Sequence, residues 1–148
     1  MVFRNILIPT DGSALSRKAV KKAVALAKKT RARVTGFHVT PSYRFNVYAD
    51  YMPPDFMLPK EYEALQKKVA AHHLEIISKE CRAAGVPCAT CFVSSDFAAD
   101  TIVKAAKKYK CDLIAMASHG RSGLSRILLG SETQKVLANT TIPVLVLR

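Results

Sequence analysis

The sequence predicts an α/β fold in which helices cover both faces of a parallel sheet. Five short apolar runs alternate with helical patterns along the chain, as in repeated strand–helix–strand units. Two runs, Ile6-Leu7-Ile8 and Leu113-Ile114-Ala115-Met116, are apolar at every position, which is typical of parallel strands buried on both sides. With 148 residues and no evident linker or internal repeat, we expect a single domain over residues 1–148.

Strands and helices are predicted to follow one another in strict alternation. The strands cover residues 3–9, 33–39, 88–93, 112–117 and 143–147, and the helices cover residues 13–30, about 60–84, roughly 97–110 and 131–139. Helical spacing predicts buried positions at Ala19, Val20, Ala23, Val24 and Ala27 in the first helix, at Leu65, Val69, Ile76 and Ile77 in the second, and at Ile102, Ala106 and Tyr109 in the third.

Local signals set the predicted helix ends. Gly85 is the expected C-cap of the second helix. Ser95 or Asp96 is expected to cap the third helix, because short oxygen-bearing side chains accept hydrogen bonds from free helical N–H groups. Ser131 and Gln134 fit a capping box at the start of the last helix.

The charge balance is the unusual bulk property. There are 23 Lys and Arg residues against 11 Asp and Glu, a formal net charge of +12, which favours anionic partners. The basic residues are spread over several helices, so we interpret them as solvated outer faces and consider nucleic-acid binding unlikely from the pattern. No apolar run reaches the length of about 18 residues that a membrane span needs. The first residues enter a strand directly without a signal-peptide pattern, which predicts a cytoplasmic location.

Four cysteines are present: Cys81, Cys88, Cys91 and Cys111. Cys88 and Cys91 form a lone CxxC pattern inside a predicted strand, whereas a redox CxxC belongs at a strand-to-helix turn. A zinc ribbon would need a second CxxC, and the sequence has none. We therefore interpret the thiols as structural.

A glycine-rich loop follows the fourth predicted strand and contains the most informative residues. Gly120 and Gly123 open the loop, and Gly130-Ser131 closes it at a predicted helix start. Glycines let backbone N–H groups approach phosphate oxygens, and a helix start offers unpaired donors and a positive dipole end. This order predicts a nucleotide or phosphate-ester binder. In the alternative interpretation, the glycines only form turns and Ser131 only caps its helix.

The same loop resembles that of the ATP-binding universal stress proteins. That family's loop reads G-x-x-G, nine residues, then G-[S/T]; here Gly120, nine residues and Gly130-Ser131 fit, but Ala117 occupies the first glycine position. Asn5-Ile6-Leu7-Ile8-Pro9-Thr10-Asp11-Gly12-Ser13 resembles the family's first strand and acidic turn, and Ile142-Pro143-Val144-Leu145-Val146-Leu147 resembles its last strand. The resemblance spans the whole chain.

The resemblance implies a Rossmann-like sandwich of the adenine-nucleotide alpha-hydrolase-like type, with a five-stranded parallel sheet in the order 3-2-1-4-5. In such a sheet, ligands bind at the carboxyl ends of strands where the winding direction reverses. That point lies between strands one and four, so the turn at Asp11 and the strand end at Met116 and Ala117 are expected to converge.

Residue roles follow from the resemblance. Asp11 would accept both ribose hydroxyls, Pro9 would shape the strand exit beside the base, and the backbone of Val39 would meet the adenine edge. The expected phosphate contacts are Gly120, Gly130 and Ser131, with Met116, Ala117 and Glu132 completing the nucleotide-binding set and Arg121 and Arg126 as candidate phosphate contacts. For Asp11, the alternative is a helix N-cap; for the two arginines, it is exposed solubility residues.

The function that we predict is regulatory binding of ATP, held with Mg²⁺ through its phosphates. No assembled catalytic set is evident, so slow hydrolysis is the most that we expect; His119 has no evident catalytic partner, and the adjacent His72 and His73 do not form a metal pair. The alternatives are an interaction module of the same family that binds no nucleotide and, less favoured, a nucleic-acid-binding protein.

Two further predictions concern contacts outside the nucleotide site. The last strand, Pro143-Val144-Leu145-Val146-Leu147, is short, apolar and at a sheet edge, which together with the resemblance predicts a homodimer through it. Residues 43–59 are aromatic and proline-rich, and form a lid over the base, a dimer contact or a loop packed on its own domain.

Overall fold

The computed structural model describes residues 2–44, 56–120 and 128–148. Strands and helices alternate as predicted: β1 (Asn5–Pro9), α1 (Ala14–Thr30), β2 (Arg33–Thr40), α2 (Pro59–Ala84), β3 (Cys88–Ser94), α3 (Ala98–Lys108), β4 (Leu113–Ala117), α4 (Ser131–Asn139) and β5 (Val144–Leu147). None of the helices within the described ranges is long and apolar enough to cross a membrane.

The five strands form one parallel sheet in the order β3-β2-β1-β4-β5, which confirms the predicted fold class and strand order. β1 lies in the middle and pairs with β2 through Ile6 and Val34 and with β4 through Ile6 and Leu113. The winding direction reverses between β1 and β4, so their carboxyl ends border the crevice where ligands bind in such sheets.

Helices pack on both faces of the sheet and bury two separate apolar clusters. One cluster joins α1 and α2 to one side of the strands, and the other joins α3 and α4 to the opposite side. The predicted stripe of α1 is buried at all five positions. In α2 the prediction was partly wrong, because Leu65 is 43% exposed and the buried residues are Ala70, His73, Leu74, Ile77 and Cys81.

Gly85 ends α2 in the left-handed conformation, with φ +71°, as predicted for a C-cap. Both predicted N-terminal caps were wrong. The N-cap residues of α3 and α4 are Phe97 and Gly130, neither of which has a side chain that accepts a hydrogen bond. Ser95 Oγ instead accepts a hydrogen bond from Phe97 N (3.0 Å) ahead of the helix, and Gln134 Nε2 donates to Leu129 O (2.7 Å).

The CxxC pattern lies inside strand β3, as predicted. β3 is an edge strand, and its outer position leaves most of it exposed; Cys88 is exposed and Cys91 half-buried, whereas Cys81 and Cys111 are buried. The interpretation of the thiols as structural fits Cys81 and Cys111 best, since both are buried.

Much of the aromatic segment 43–59 lies outside the described residues, so its predicted roles are not tested. Its two ends meet, because Tyr43 Oη donates a hydrogen bond to Met57 O (2.7 Å). Tyr62 of α2 packs edge-on against Tyr43 and donates to Pro41 O (2.8 Å), which fixes the exit from β2 against α2.

Candidate nucleotide-binding site

The turn between β1 and α1 holds Asp11 through a chain of short-range hydrogen bonds. Asp11 Oδ1 accepts from Ser13 N (2.9 Å), and Ser13 Oγ caps α1 by accepting from Ser16 N (3.2 Å). The alternative interpretation of Asp11 as the helix N-cap was therefore wrong, because Ser13 is the N-cap and the Asp11 carboxylate shapes the turn ahead of it. One carboxylate oxygen supports the turn, and the other faces the glycine loop.

Two buried histidines, His38 and His73, contact the backbone of this turn. His38 Nδ1 lies 2.7 Å from Thr10 O, and because a carbonyl only accepts, Nδ1 carries the proton and donates. The ring of His73, from α2, lies 5.0 Å from the His38 ring and against Gly12. Gly12 has φ +79°, and a Cβ there would lie 2.1 Å from His73 Nδ1. The position therefore requires glycine for both its backbone conformation and its neighbour.

The glycine loop after β4 approaches Asp11 directly. A Cβ added to Gly120 would lie 2.5 Å from Asp11 Oδ2, so the acidic turn and the loop are in contact although 109 residues separate them in sequence. Gly130 closes the loop, because its N–H donates to Ser118 O (2.8 Å) and a Cβ there would lie 3.2 Å from the backbone of Ser118 and His119. Both glycines allow backbone approaches that a side chain would block.

A pocket opens at this point, on the α3 and α4 side of the sheet. Apolar side chains form one part of its wall: Pro9, Phe37, Val39, Ala98, Ile102, Met116 and Ala117. Polar residues and the glycine loop form the rest: Thr10, Asp11, Ser16, His119, Gly120, Glu132 and Thr133.

The structure brings most of the predicted site residues together. The pocket is lined by Pro9, Asp11, Val39, Met116, Ala117, Gly120 and Glu132. Gly130 lies against the backbone of Ser118 and His119, and Ser131 is the exposed first residue of α4; neither lines the pocket. Arg121, Arg126 and the loop glycine Gly123 lie outside the described residues.

Glu132 links the two helices that border the pocket. Its Oε2 accepts a hydrogen bond from Ala99 N (3.0 Å), and its Oε1 accepts one from Lys135 Nζ (3.3 Å). The carboxylate thereby satisfies a free N–H at the start of α3 and lies at the positive end of that helix dipole. The N-terminal cap that sequence signals placed at Ser95 or Asp96 is supplied by a different helix.

His119 has a structural contact at each ring nitrogen. Nε2 is hydrogen-bonded to Leu128 O, which requires the proton on Nε2, and Nδ1 then accepts from Ser118 Oγ (2.9 Å). These contacts agree with the interpretation of His119 as a structural residue of the loop. Within the described ranges, no group of three His, Cys, Asp or Glu side chains is arranged to hold a metal ion.

Seven residues of the pocket were not predicted as site residues: Thr10, Ser16, Phe37, Ala98, Ile102, His119 and Thr133. Thr10 comes directly before Asp11 in the sequence, so its place in the pocket could have been predicted from that neighbour. Phe37 and Ile102 lie in an apolar strand and on an apolar helix face, where their sequence pattern is that of ordinary core residues.

Comparison with known proteins agrees with this architecture. A family model described as the universal stress protein family matches residues 3–148. The chain belongs to the universal stress protein family. Universal stress protein MJ0531 of Methanocaldococcus jannaschii is 34% identical over 152 residues, covering 99% of this chain and 83% of that protein. Universal stress protein YxiE of Bacillus subtilis is 33% identical over 153 residues, covering 99% of this chain and all of that protein (100%).

Solved structures share the fold over the full length. Protein MJ0577 of Methanocaldococcus jannaschii has a TM-score of 0.74 at 27% identity, covering 99% of this chain and 96% of that one. A universal stress protein in complex with cAMP has a TM-score of 0.73 at 21% identity, covering 100% of this chain and 99% of that one. At that identity, the second likeness shows the common fold.

Proposed function

We propose that this universal stress protein binds ATP in the pocket between the Asp11 turn and the Gly120 loop. The observation that carries the proposal is the contact between these two elements at the carboxyl ends of β1 and β4, where a Cβ on Gly120 would reach Asp11 Oδ2. Universal stress proteins of the same fold have been solved with cAMP, dAMP and AMP, which makes adenine nucleotides the first ligands to test.

The pocket offers a different surface to each part of the nucleotide. Val39, Ile102 and Met116 form an apolar wall suited to the flat base. The carboxylate of Asp11 lines the pocket and would accept hydrogen bonds from the ribose hydroxyls. The backbone N–H groups around Gly120 and at the start of α4 then meet the phosphates, and Mg²⁺ binds as their counter-ion.

The role that we propose is regulatory. Each of the three titratable side chains on the described pocket wall already has a structural partner: Asp11 bonds Ser13, His119 bonds Ser118 and Leu128, and Glu132 bonds Ala99. A general base is more effective when its lone pair is free to reach the substrate. We therefore propose ATP-dependent signalling with slow hydrolysis at most, in a homodimer paired through β5.

A second candidate function is an interaction module that binds no nucleotide. Ala117 is the observation that favours it, because this residue lines the pocket at the position where the ATP-binding members have glycine. Nucleotide binding by the wild-type protein distinguishes the two candidates.

Isothermal titration of ATP, AMP and cAMP into the purified protein tests the proposal, together with analysis of any small molecule released on denaturation. Asp11→Asn keeps an oxygen for Ser13 N but places an amide toward the ribose; Asp11→Ala removes both groups. Since a hydrogen bond to a charged group contributes about 1.5–3 kcal/mol, each variant should weaken ATP binding by about tenfold to hundredfold.

Gly130→Val should also weaken ATP binding, because its side chain enters the backbone contact with Ser118 and His119. Glu63→Ala, an exposed change on α2, is the matched control and should bind as wild type. Unchanged ATP binding in the Asp11 and Gly130 variants would place the site elsewhere. Absence of binding to the wild-type protein would leave the interaction module as the favoured function.

A further inference from the structure

Two cysteines outside the nucleotide pocket, Cys81 and Cys88, lie at the two ends of the α2–β3 connection and on the same side of the sheet. Cys88 pairs in register with Val34, and Val34 and Cys81 belong to the same buried cluster on the α1 and α2 side of the sheet. Cys91 lies three residues further along β3 and packs with the cluster on the opposite side. Because side chains alternate along a strand, the two cysteines of the CxxC pattern point to opposite faces.

Cys81, and not Cys91, therefore lies on the same side of the sheet as Cys88. The Cys88 thiol donates a hydrogen bond within its own strand, to Ala89 O (3.7 Å). Cys81 is fully buried in the last turns of α2, whereas Cys88 is exposed at the start of an edge strand. The chain reverses between them at Gly85, and Val86 N donates to Cys81 O (2.8 Å), which holds the two ends of the connection together.

The groups around the two sulfurs shift the pKa values of Cys81 and Cys88 in opposite directions. The neighbouring Cys81 thiol lowers the pKa of the Cys88 thiol, against partial burial, and the Gly36 backbone and the Arg33 guanidinium lower it further. The Cys88 thiol and burial raise the pKa of the Cys81 thiol. Cys88 is thus the exposed sulfur with the lowered pKa, and Cys81 is its buried neighbour. Thiolate character together with exposure is the combination that makes a cysteine reactive.

We propose that Cys88 is an oxidant-sensitive thiol whose reaction with a hydroperoxide ends in an intramolecular disulfide with Cys81. The Cys88 thiolate attacks the peroxide oxygen, the O–O bond breaks, and the alkoxide or hydroxide that leaves takes up a proton. The resulting sulfenic acid carries no charge, so it no longer suppresses ionisation of Cys81. The Cys81 sulfur then attacks the sulfenic sulfur and expels hydroxide, which takes the Cys81 proton to form water. Overall, two thiols and one hydroperoxide give one disulfide, one alcohol or water molecule from the peroxide, and one water.

Peptide mapping of the wild-type protein tests the pairing without any substitution. The reduced protein is treated with about one equivalent of hydrogen peroxide, unfolded in an alkylating agent, and digested without reductant. The expected product is a monomer that has lost about 2 Da, the mass of two hydrogen atoms, with Cys81 and Cys88 peptides linked and with Cys91 and Cys111 alkylated.

Three variants separate the two roles. Cys88→Ser should slow peroxide consumption by about tenfold or more, because the ionising thiol is gone. Cys81→Ala should leave a sulfenic acid on Cys88 that dimedone traps, whereas the wild-type protein gives little adduct. Cys91→Ser is the matched control and should form the disulfide at the wild-type rate.

A disulfide between Cys88 and Cys91, a disulfide between two chains, or first oxidation at Cys91 or Cys111 would each overturn the proposal. Equal dimedone labelling of wild type and Cys81→Ala would overturn the assignment of Cys81 as the partner. None of these measurements depends on nucleotide binding, so they stand apart from the test of the proposed function.

Discussion

Replacing Gly12 with alanine tests how closely His73 holds the turn that carries Asp11. The added Cβ would lie 2.1 Å from His73 Nδ1 and 2.2 Å from His73 Cε1, and it would occupy a residue with φ +79°. His73 is buried beside His38, so its ring has little space in which to move. Two costs therefore add: about 1–2 kcal/mol for the left-handed conformation of a residue with a Cβ and about 1–3 kcal/mol for overpacking.

The expected result is a loss of about 2–5 kcal/mol in the free energy of unfolding for Gly12→Ala. Gly85→Ala is the matched control, because Gly85 has a similar φ of +71° but nothing within 4 Å of the added Cβ. The control should lose only the conformational cost of about 1–2 kcal/mol. The difference between the two variants isolates the contact with His73.

Urea unfolding followed by far-ultraviolet circular dichroism measures both variants under the same conditions. Adding His73→Ala should recover part of the loss in Gly12→Ala, and a double-mutant cycle gives the coupling energy. Equal destabilisation by Gly12→Ala and Gly85→Ala, or a coupling energy of zero, would refute the reasoning.

Three further predictions concern the pocket wall, the sheet edge and α3. Ala117→Gly should leave ATP affinity equal or improved in calorimetry; an approximately tenfold loss would show that the methyl contributes packing. Val146→Lys should convert a dimer to monomer or aggregate in light scattering, whereas Val146→Thr should not; a monomeric wild type at tens of micromolar would contradict the β5 interface. Glu132→Ala should lower the free energy of unfolding by about 0.5–2 kcal/mol through the lost contact with Ala99 N, more than Glu63→Ala does in the same urea titration.

The elements were predictable where the chain repeats a simple period. The apolar runs of β1 and β4 and the stripe of α1 follow directly from alternation and helical spacing, and the structure has them at those positions. In α2 the buried face was harder to predict from the sequence, because it includes His73 and Cys81. These two side chains are less apolar than Leu65, which was predicted to be buried but is exposed.

Capping could not be predicted from local sequence, because the decisive partner was distant. Ser95 and Asp96 are good capping residues in isolation, yet Ala99 N is satisfied by Glu132, which follows 33 residues later. The CxxC pattern was predicted to lie inside a strand, and it does. What the pattern could not show is the long-range neighbour, because the pleat of β3 places Cys88 on the side of the sheet that holds Cys81 of α2.

Ala117, which replaces the first glycine of the family motif, lines the pocket at the carboxyl end of β4. Along β4, Leu113 and Ala115 pack toward α1 and α2, whereas Ile114 and Met116 pack toward α3 and α4. By the same alternation, the methyl group of Ala117 points to the α1 side, toward the turn of Asp11, and away from the side chain of Met116. At the proposed site, its steric effect would fall on the sugar and the phosphates and would leave the base-binding surface intact. Adenosine should accordingly bind wild type and Ala117→Gly alike, and any gain from the glycine should increase with the number of phosphates.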